Sequence, residues 1–141
     1  MIYADSSVLV AWFHPDDLFA RDVTAWVQGE GIDFVWNVFL RAEVRHNLRR
    51  LKGAYAGTAW NAYRAAEDGR KLRMEKRPPG DILTRADELS ERHAAATTAG
   101  TWDFVHLAAA LSAKADVFAT ADEPQAKAAK LAGLRVKLFK S

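Results

Sequence analysis

Hydrophobic and polar residues are arranged in two different patterns along this chain. Short apolar or β-branched runs are typical of strands, and longer stretches with an apolar residue every three or four positions are typical of helices. They predict strands at about 2–5, 33–36, 116–120 and 134–139, and helices at about 7–13, 17–28, 38–52, 55–68, 81–97, 103–114 and 123–132. Strands alternate with helices, which predicts an α/β fold: a parallel sheet of about four to five strands flanked by helices.

The two terminal strands have different patterns. The first is almost wholly apolar, as expected for a central strand with both faces covered, whereas residues 134–140 alternate between apolar and basic side chains, as expected at a sheet edge. The 141 residues contain no linker-like tract. The sequence therefore predicts a single domain spanning residues 1–141.

Acidic residues follow two of the predicted strands. Asp5 comes at the end of the first strand and Asp122 just after the strand at 116–120, and a helix begins after each of them. Because ligands bind at the carboxyl ends of strands in open α/β sheets, both acids are candidates for a site. An N-cap role remains open for each, since aspartate is among the preferred capping residues.

Two further acids lie on predicted helices. Glu43 falls roughly 60° from Leu40 around the helix at 38–52, so it lies at the margin of the apolar stripe formed by Leu40, Val44, Leu48 and Leu51. Asp103 lies in the first turn of an alanine-rich helix, where the helix dipole also favours an anion. His106, one turn later, is interpreted as a packed histidine, and the alternatives of a hydrogen-bond partner or a distant ligand stay open.

Four carboxylates that converge must be neutralised, because like charges in a low dielectric repel strongly and raise one another's pKa. Hard divalent cations such as Mg²⁺ or Mn²⁺ are the natural counter-charge for oxygen ligands. The chain has no cysteine, which excludes disulfides and thiolate metal sites. The combination of the four acids therefore predicts a shared site for Mg²⁺ or Mn²⁺.

The net charge of +2 hides an uneven distribution. Residues 41–77 contain eleven Lys or Arg against four Asp or Glu, and the rest of the chain is net acidic. The helix that contains Glu43 also contains four arginines, Arg41, Arg45, Arg49 and Arg50. A basic surface beside an acidic metal site suits a phosphodiester substrate, although solvated charges that promote solubility are an equally good interpretation of any one arginine.

Four segments together carry a family resemblance. They are Tyr3-Ala4-Asp5-Ser6-Ser7, Ala42-Glu43-Val44, the run from Asp103 to Leu111, and Ala119-Thr120-Ala121-Asp122. In this order and at these separations, the chain resembles PIN-domain ribonucleases of the VapC toxin type from prokaryotic toxin–antitoxin pairs. The stretch 72–98 is the least typical part.

The resemblance implies a PIN-like three-layer fold and an endoribonuclease that needs Mg²⁺ or Mn²⁺. It further implies a homodimer that is inhibited by a small antitoxin protein. Asp5, Glu43, Asp103 and Asp122 match the acidic motif of the family, and Ser6 and Thr120 match its supporting hydroxyl positions. The N-terminal residues lack the pattern of a signal peptide or membrane span, so a cytoplasmic protein is expected.

Two other classes of function stay open. A non-catalytic RNA-binding or partner-binding module would use the acids only as helix caps and would retain RNA without cutting it. A phosphatase with an aspartyl nucleophile would place its acid at a similar strand end, but the usual Asp-x-Asp is Asp5-Ser6-Ser7 here, and the second acid is missing.

Overall fold

The computed structural model describes all 141 residues. Its five strands are β1 (Ile2–Ala4), β2 (Phe34–Trp36), β3 (Leu72–Met74), β4 (Val117–Thr120) and β5 (Val136–Leu138). Its seven α-helices are α1 (Ser6–Phe13), α2 (Ala20–Glu30), α3 (Val38–Arg49), α4 (Ala56–Asp68), α5 (Pro79–His93), α6 (Thr101–Ser112) and α7 (Glu123–Leu131). A short 3₁₀ turn, Ala94–Ala96, follows α5.

The strands form one parallel sheet in the order β3-β2-β1-β4-β5. The chain builds outward from β1 to β2 and β3, then returns to place β4 on the other side of β1. The strand order therefore reverses between β1 and β4. In open α/β sheets this switch point leaves a crevice beyond the carboxyl ends of the two strands, where ligands bind.

Apolar burial explains why β1 and β4 lie at the centre. Tyr3 and Ala4 in β1 and Phe118 and Ala119 in β4 are fully buried, and the Tyr3 and Phe118 rings stack with centroids 5.5 Å apart. Helix α6 lies in the core through its run of small apolar residues, of which 107–110 have no exposed surface. The predicted central first strand and edge last strand are both confirmed.

The sequence-based prediction missed β3. No strand was predicted at residues 72–74, yet they pair with β2 as the other edge of the sheet. Only Leu72 is buried, while Arg73 and Met74 are exposed. A three-residue edge strand with one buried side chain is too short to show an alternating pattern, and its charge is typical of protected edges.

Helix boundaries differ from the predictions by a few residues, as fraying and capping allow. The largest differences are at α5, which begins at Pro79 and ends at His93 rather than spanning 81–97, and at α2, which begins at Ala20 rather than residue 17. Pro79 lies in the first turn, where its missing N–H costs no helical hydrogen bond. No helix is both long and apolar enough to cross a membrane.

Candidate active site

Asp5 and Asp122 lie next to each other across the switch point. Asp5 directly follows β1, and its backbone N–H donates to the Ala119 carbonyl of β4 at 3.0 Å. Thr120, the last residue of β4, has no exposed surface, and its hydroxyl donates to the Asp5 carboxylate. The same hydroxyl oxygen accepts from the Asp122 N–H at 3.0 Å. One threonine thus joins the two strand-end acids.

The Asp5 carboxylate is buried and accepts hydrogen bonds from three donors. Its side chain is the N-cap of α1, because Oδ1 accepts from the Val8 N–H at 3.2 Å, and Oδ1 also accepts from the Ser7 hydroxyl at 2.5 Å. Burial raises the pKa of Asp5 above its ordinary value, and the donors from Ser7, Thr120 and Val8 only partly oppose that shift. A nearby cation would reverse the shift, since an opposite charge favours the carboxylate form.

Glu43 lies on α3 at the margin of its buried stripe, as predicted. Leu40, Val44 and Leu48 are buried, whereas 32 % of the Glu43 side chain is exposed. Its Oε1 lies 3.2 Å from Nε2 of His106, which is buried on α6. Burial alone would raise the pKa of Glu43, but contacts with His106 and Ser6 outweigh it and hold that pKa below its ordinary value.

Asp103 and Asp122 occupy helix starts. The Asp103 carboxylate accepts from the Gly100 N–H at 2.8 Å in the first turn of α6, and the Asp122 carboxylate accepts from the Gln125 N–H at 3.0 Å as N-cap of α7. The buried Gln125 amide donates to the Asp103 backbone carbonyl at 3.2 Å, which ties the two helix starts together. The N-cap role weighed for Asp122 is therefore real, and Asp103 lies in the first turn as expected, where it accepts from the N-cap residue Gly100.

The four acids lie around one end of the sheet, but they do not form a compact ligand set. No group of three or more His, Asp or Glu side chains lies close enough together to hold a metal ion. The donor chemistry nevertheless fits Mg²⁺ or Mn²⁺, because every candidate is a carboxylate oxygen and hard cations prefer such ligands. The assignment of Asp5, Glu43, Asp103 and Asp122 as ligands stays a prediction.

The predicted RNA-binding arginines have different environments. Arg41 pairs with Glu67 of α4 at 3.1 Å, and Arg45 is only 19 % exposed, with its guanidinium above the Trp60 ring and donating to the Tyr63 hydroxyl. Both therefore help to join α3 to α4. Arg49 and Arg50 are exposed, although the Arg49 guanidinium also lies above the Trp60 ring. These two are the freer candidates for phosphate contacts.

The sequence-based reasoning missed three polar residues near the acids. Ser7 donates to Asp5, Asn37 caps α3, and the Tyr3 hydroxyl contacts both Asn37 and His106. Asn37 stands at the carboxyl end of β2, as Asp5 does after β1, so its position was a usable signal. Its side chain is uncharged, so it does not belong to the pattern of carboxylates that identifies the other candidates.

Residues 2–131 match the PIN domain family. The chain belongs to this family. The match covers nearly all of the domain and includes β1, β4 and the four helices or helix starts that contain the acids. The predicted resemblance and the predicted PIN-like α/β fold are both confirmed. Among curated proteins, none matches this sequence significantly.

Several solved structures share the fold. VapC20 from Mycobacterium tuberculosis, a Sarcin-Ricin loop cleaving toxin, has 19 % identity and a TM-score of 0.72 over 91 % of this chain and 95 % of its own. FitAcB from Neisseria gonorrhoeae has 18 % identity and a TM-score of 0.64, with 96 % of each chain covered. VapBC2 from Rickettsia felis, bound to a promoter DNA fragment, has 13 % identity and a TM-score of 0.67 over 98 % of each.

Proposed function

We propose that this PIN domain is an endoribonuclease dependent on Mg²⁺ or Mn²⁺ and that it acts as the toxin of a toxin–antitoxin pair. The observation that carries the proposal is the buried Asp5 carboxylate at the β1–β4 switch point, joined through Thr120 to Asp122. A buried acid whose pKa is raised by burial is costly for a fold and typical of functional sites. The similarity to VapC20, a Sarcin-Ricin loop cleaving toxin, supports an RNA substrate.

Each predicted site residue has a role in this proposal. Asp5 and Asp103 are the expected direct ligands, and Asp122 and Glu43 are expected to complete the site. Thr120 and Ser6 support them, since Thr120 donates to Asp5 and Ser6 lowers the pKa of Glu43. A divalent ion at these carboxylates supplies water activation and charge neutralisation at the scissile phosphate.

The protein's own residues orient the ligand carboxylate and bind the substrate. The Ser7 and Thr120 hydroxyls and the Val8 N–H fix both Asp5 oxygens in place, so this ligand is oriented before substrate binds. The exposed Arg49 and Arg50 are expected to bind the phosphate backbone, which gives affinity but no base specificity.

Cleavage of structured RNA by the purified protein tests this function. We expect cutting with Mn²⁺ and none with EDTA, and we expect Asp5→Asn and Asp103→Asn to abolish it. Asp81→Asn is the matched control, because Asp81 also lies in the first turn of a helix but belongs to α5. Metal-independent cutting that survives both site substitutions would refute the proposed chemistry.

One observation favours the alternative of a non-catalytic RNA-binding module. Asp103 and Asp122 both cap helices, which is the role that this alternative gives them. It predicts that the protein retains RNA in a filter-binding assay without shortening it, at any Mn²⁺ concentration. The cleavage experiment above separates the two.

The proposed partners are a small antitoxin, an RNA substrate and a second copy of this chain in a homodimer, all in the cytoplasm. Similar structures include FitAcB and VapBC2, the latter bound to DNA from the promoter. We propose that the antitoxin covers the acidic site and brings an Arg or Lys to its carboxylates. Co-expression with a candidate antitoxin should yield a complex that Asp5→Asn weakens. A complex unaffected by Asp5→Asn would contradict this placement.

A further inference from the structure

A buried chain of polar side chains leads from the start of α3 to Glu43. It comprises Asn37, Tyr3 and His106, which are 3 %, 0 % and 2 % exposed. The Asn37 amide nitrogen lies 3.2 Å from the Tyr3 hydroxyl, and that hydroxyl lies 2.6 Å from Nδ1 of His106. On the other side of the ring, Nε2 lies 3.2 Å from Oε1 of Glu43. This row of polar side chains links β1, α3 and α6.

The donors and acceptors around a neutral His106 set the directions of the hydrogen bonds in this row of polar side chains. A backbone N–H can only donate, so Asn37 Oδ1 accepts from the Leu40 N–H at 2.8 Å, and the amide must turn its NH₂ toward Tyr3. The Tyr3 oxygen accepts from that NH₂ and has one proton left to give. A phenol is protonated at neutral pH, so Tyr3 keeps this proton, and His106 Nδ1 at 2.6 Å is the acceptor within reach. It therefore donates to His106 Nδ1.

The tautomer of His106 follows from this direction. A neutral imidazole that accepts at Nδ1 must have its proton on Nε2. Nε2 is buried and its neighbouring acceptor is the Glu43 carboxylate. Nε2 lies 3.2 Å from Oε1 of Glu43 without meeting hydrogen-bond geometry, so the contact between them is an ion–dipole contact.

We propose that Asn37 and Tyr3 lock His106 as the Nε2–H tautomer, and that His106 in turn positions the Glu43 carboxylate in the site. The role in the site rests on the proposed nuclease function, whereas the tautomer does not. Tyr3, Asn37 and His106 are positioning residues in this account, since they act through Glu43.

The polar chain compensates for a weakness in how α3 presents Glu43. The side chain is partly exposed at the helix margin and has several rotatable bonds, so α3 alone leaves it free to take several rotamers. The row of buried polar side chains starts at Asn37, the N-cap of α3, and returns to the same helix at Glu43. Its start is anchored on the backbone N–H of Leu40, which does not move independently of the helix.

Nitrogen NMR of the histidine side chains at about pH 8 tests the tautomer without requiring any activity. We expect His106 Nδ1 to be unprotonated and Nε2 to bear the proton. Tyr3→Phe should introduce a population with the proton on Nδ1. Tyr63→Phe is the matched control, because Tyr63 is also fully buried and its hydroxyl bonds to Glu67 on α4, away from His106. A protonated Nδ1 in the unmodified protein would overturn the proposal.

Two substitutions of His106 test its positioning role. The side-chain nitrogen of a glutamine reaches the place of Nε2 and can still donate to Glu43, whereas an asparagine side chain reaches only the place of Nδ1. We therefore expect His106→Asn to weaken Mn²⁺ binding, measured by calorimetry, and kcat by about 10- to 100-fold. His106→Gln should recover most of both, and KM for RNA should change little in either variant.

The outcomes separate the positioning role from the function. Equal losses in the Asn and Gln variants at equal stability would show that His106 only fills space, which overturns its positioning role. If the protein never cleaves RNA, the nuclease proposal fails. The NMR result and the Mn²⁺ affinities would in that case still decide whether His106 orients Glu43.

Discussion

Thr120→Val is the substitution that tests the switch-point geometry most sharply. Thr120 is fully buried at the end of β4, and its hydroxyl donates to Asp5 and accepts from the Asp122 N–H. Valine has nearly the same shape and is also β-branched, so the strand conformation is preserved. The change therefore removes two hydrogen bonds and little else.

The expected loss of stability is about 2–4 kcal/mol. A hydrogen bond to a buried charged group is worth roughly 1.5–3 kcal/mol, and a neutral one about 1 kcal/mol. The loss should also increase with pH. Without the Thr120 donor the pKa of Asp5, already raised by burial, rises further, so the variant binds a proton in the folded state up to a higher pH and loses stability relative to the parent protein as pH rises.

Urea unfolding in EDTA at several pH values measures both effects. Thr84→Val is the control, because its hydroxyl also bonds to protein, donating to the Gly80 carbonyl, but on the exposed face of α5. It should change the unfolding free energy by no more than about 0.5 kcal/mol. A Thr120→Val loss below about 1 kcal/mol, or one independent of pH, would refute the proposed role of this hydroxyl.

Two further predictions concern Asp122 and Glu67. Asp122→Asn should leave the unfolding free energy nearly unchanged, since Asn caps helices as well as Asp does. It should nevertheless reduce RNA cleavage at least tenfold, because the negative charge is lost. Unchanged cleavage would exclude Asp122 from the site. The pKa of Glu67 is lowered because hydrogen bonds from Tyr63 and Arg41 outweigh the effect of its burial. Its stabilising contribution is thus present above its unfolded pKa and is lost as pH falls through the lower folded value, so the gap in stability between the parent protein and Glu67→Gln should close below about pH 4.5. A gap that persists in acid would contradict this.

The sequence could predict most of the fold because its strands and helices differ strongly in pattern. The apolar run at β1 and the alternation at β5 sufficed to place one at the centre and the other at an edge. Strand β3 could not be found in this way, since its single buried residue, Leu72, leaves no periodicity. Its position depends on pairing with β2, which is a tertiary contact.

The positions of the candidate acids at strand ends and at a helix margin could be predicted from the sequence, whereas the contacts between them could not. Strand ends and the helix margin identify Asp5, Asp122 and Glu43 from local sequence alone. The contacts that organise them join residues more than a hundred positions apart, such as Thr120 with Asp5 and His106 with Tyr3. Local sequence does not reveal such contacts, and for this reason the partners of His106 could not be named.

We propose that the four candidate acids, Asp5, Glu43, Asp103 and Asp122, bind a divalent ion. Anomalous diffraction from a crystal soaked in Mn²⁺ measures this directly. We expect a manganese peak beyond the carboxyl ends of β1 and β4, within about 2.3 Å of carboxylate oxygens of Asp5 and Asp103. If no peak appears at this position at saturating Mn²⁺, and both carboxylates keep only their present hydrogen-bond donors, the proposed metal site is contradicted.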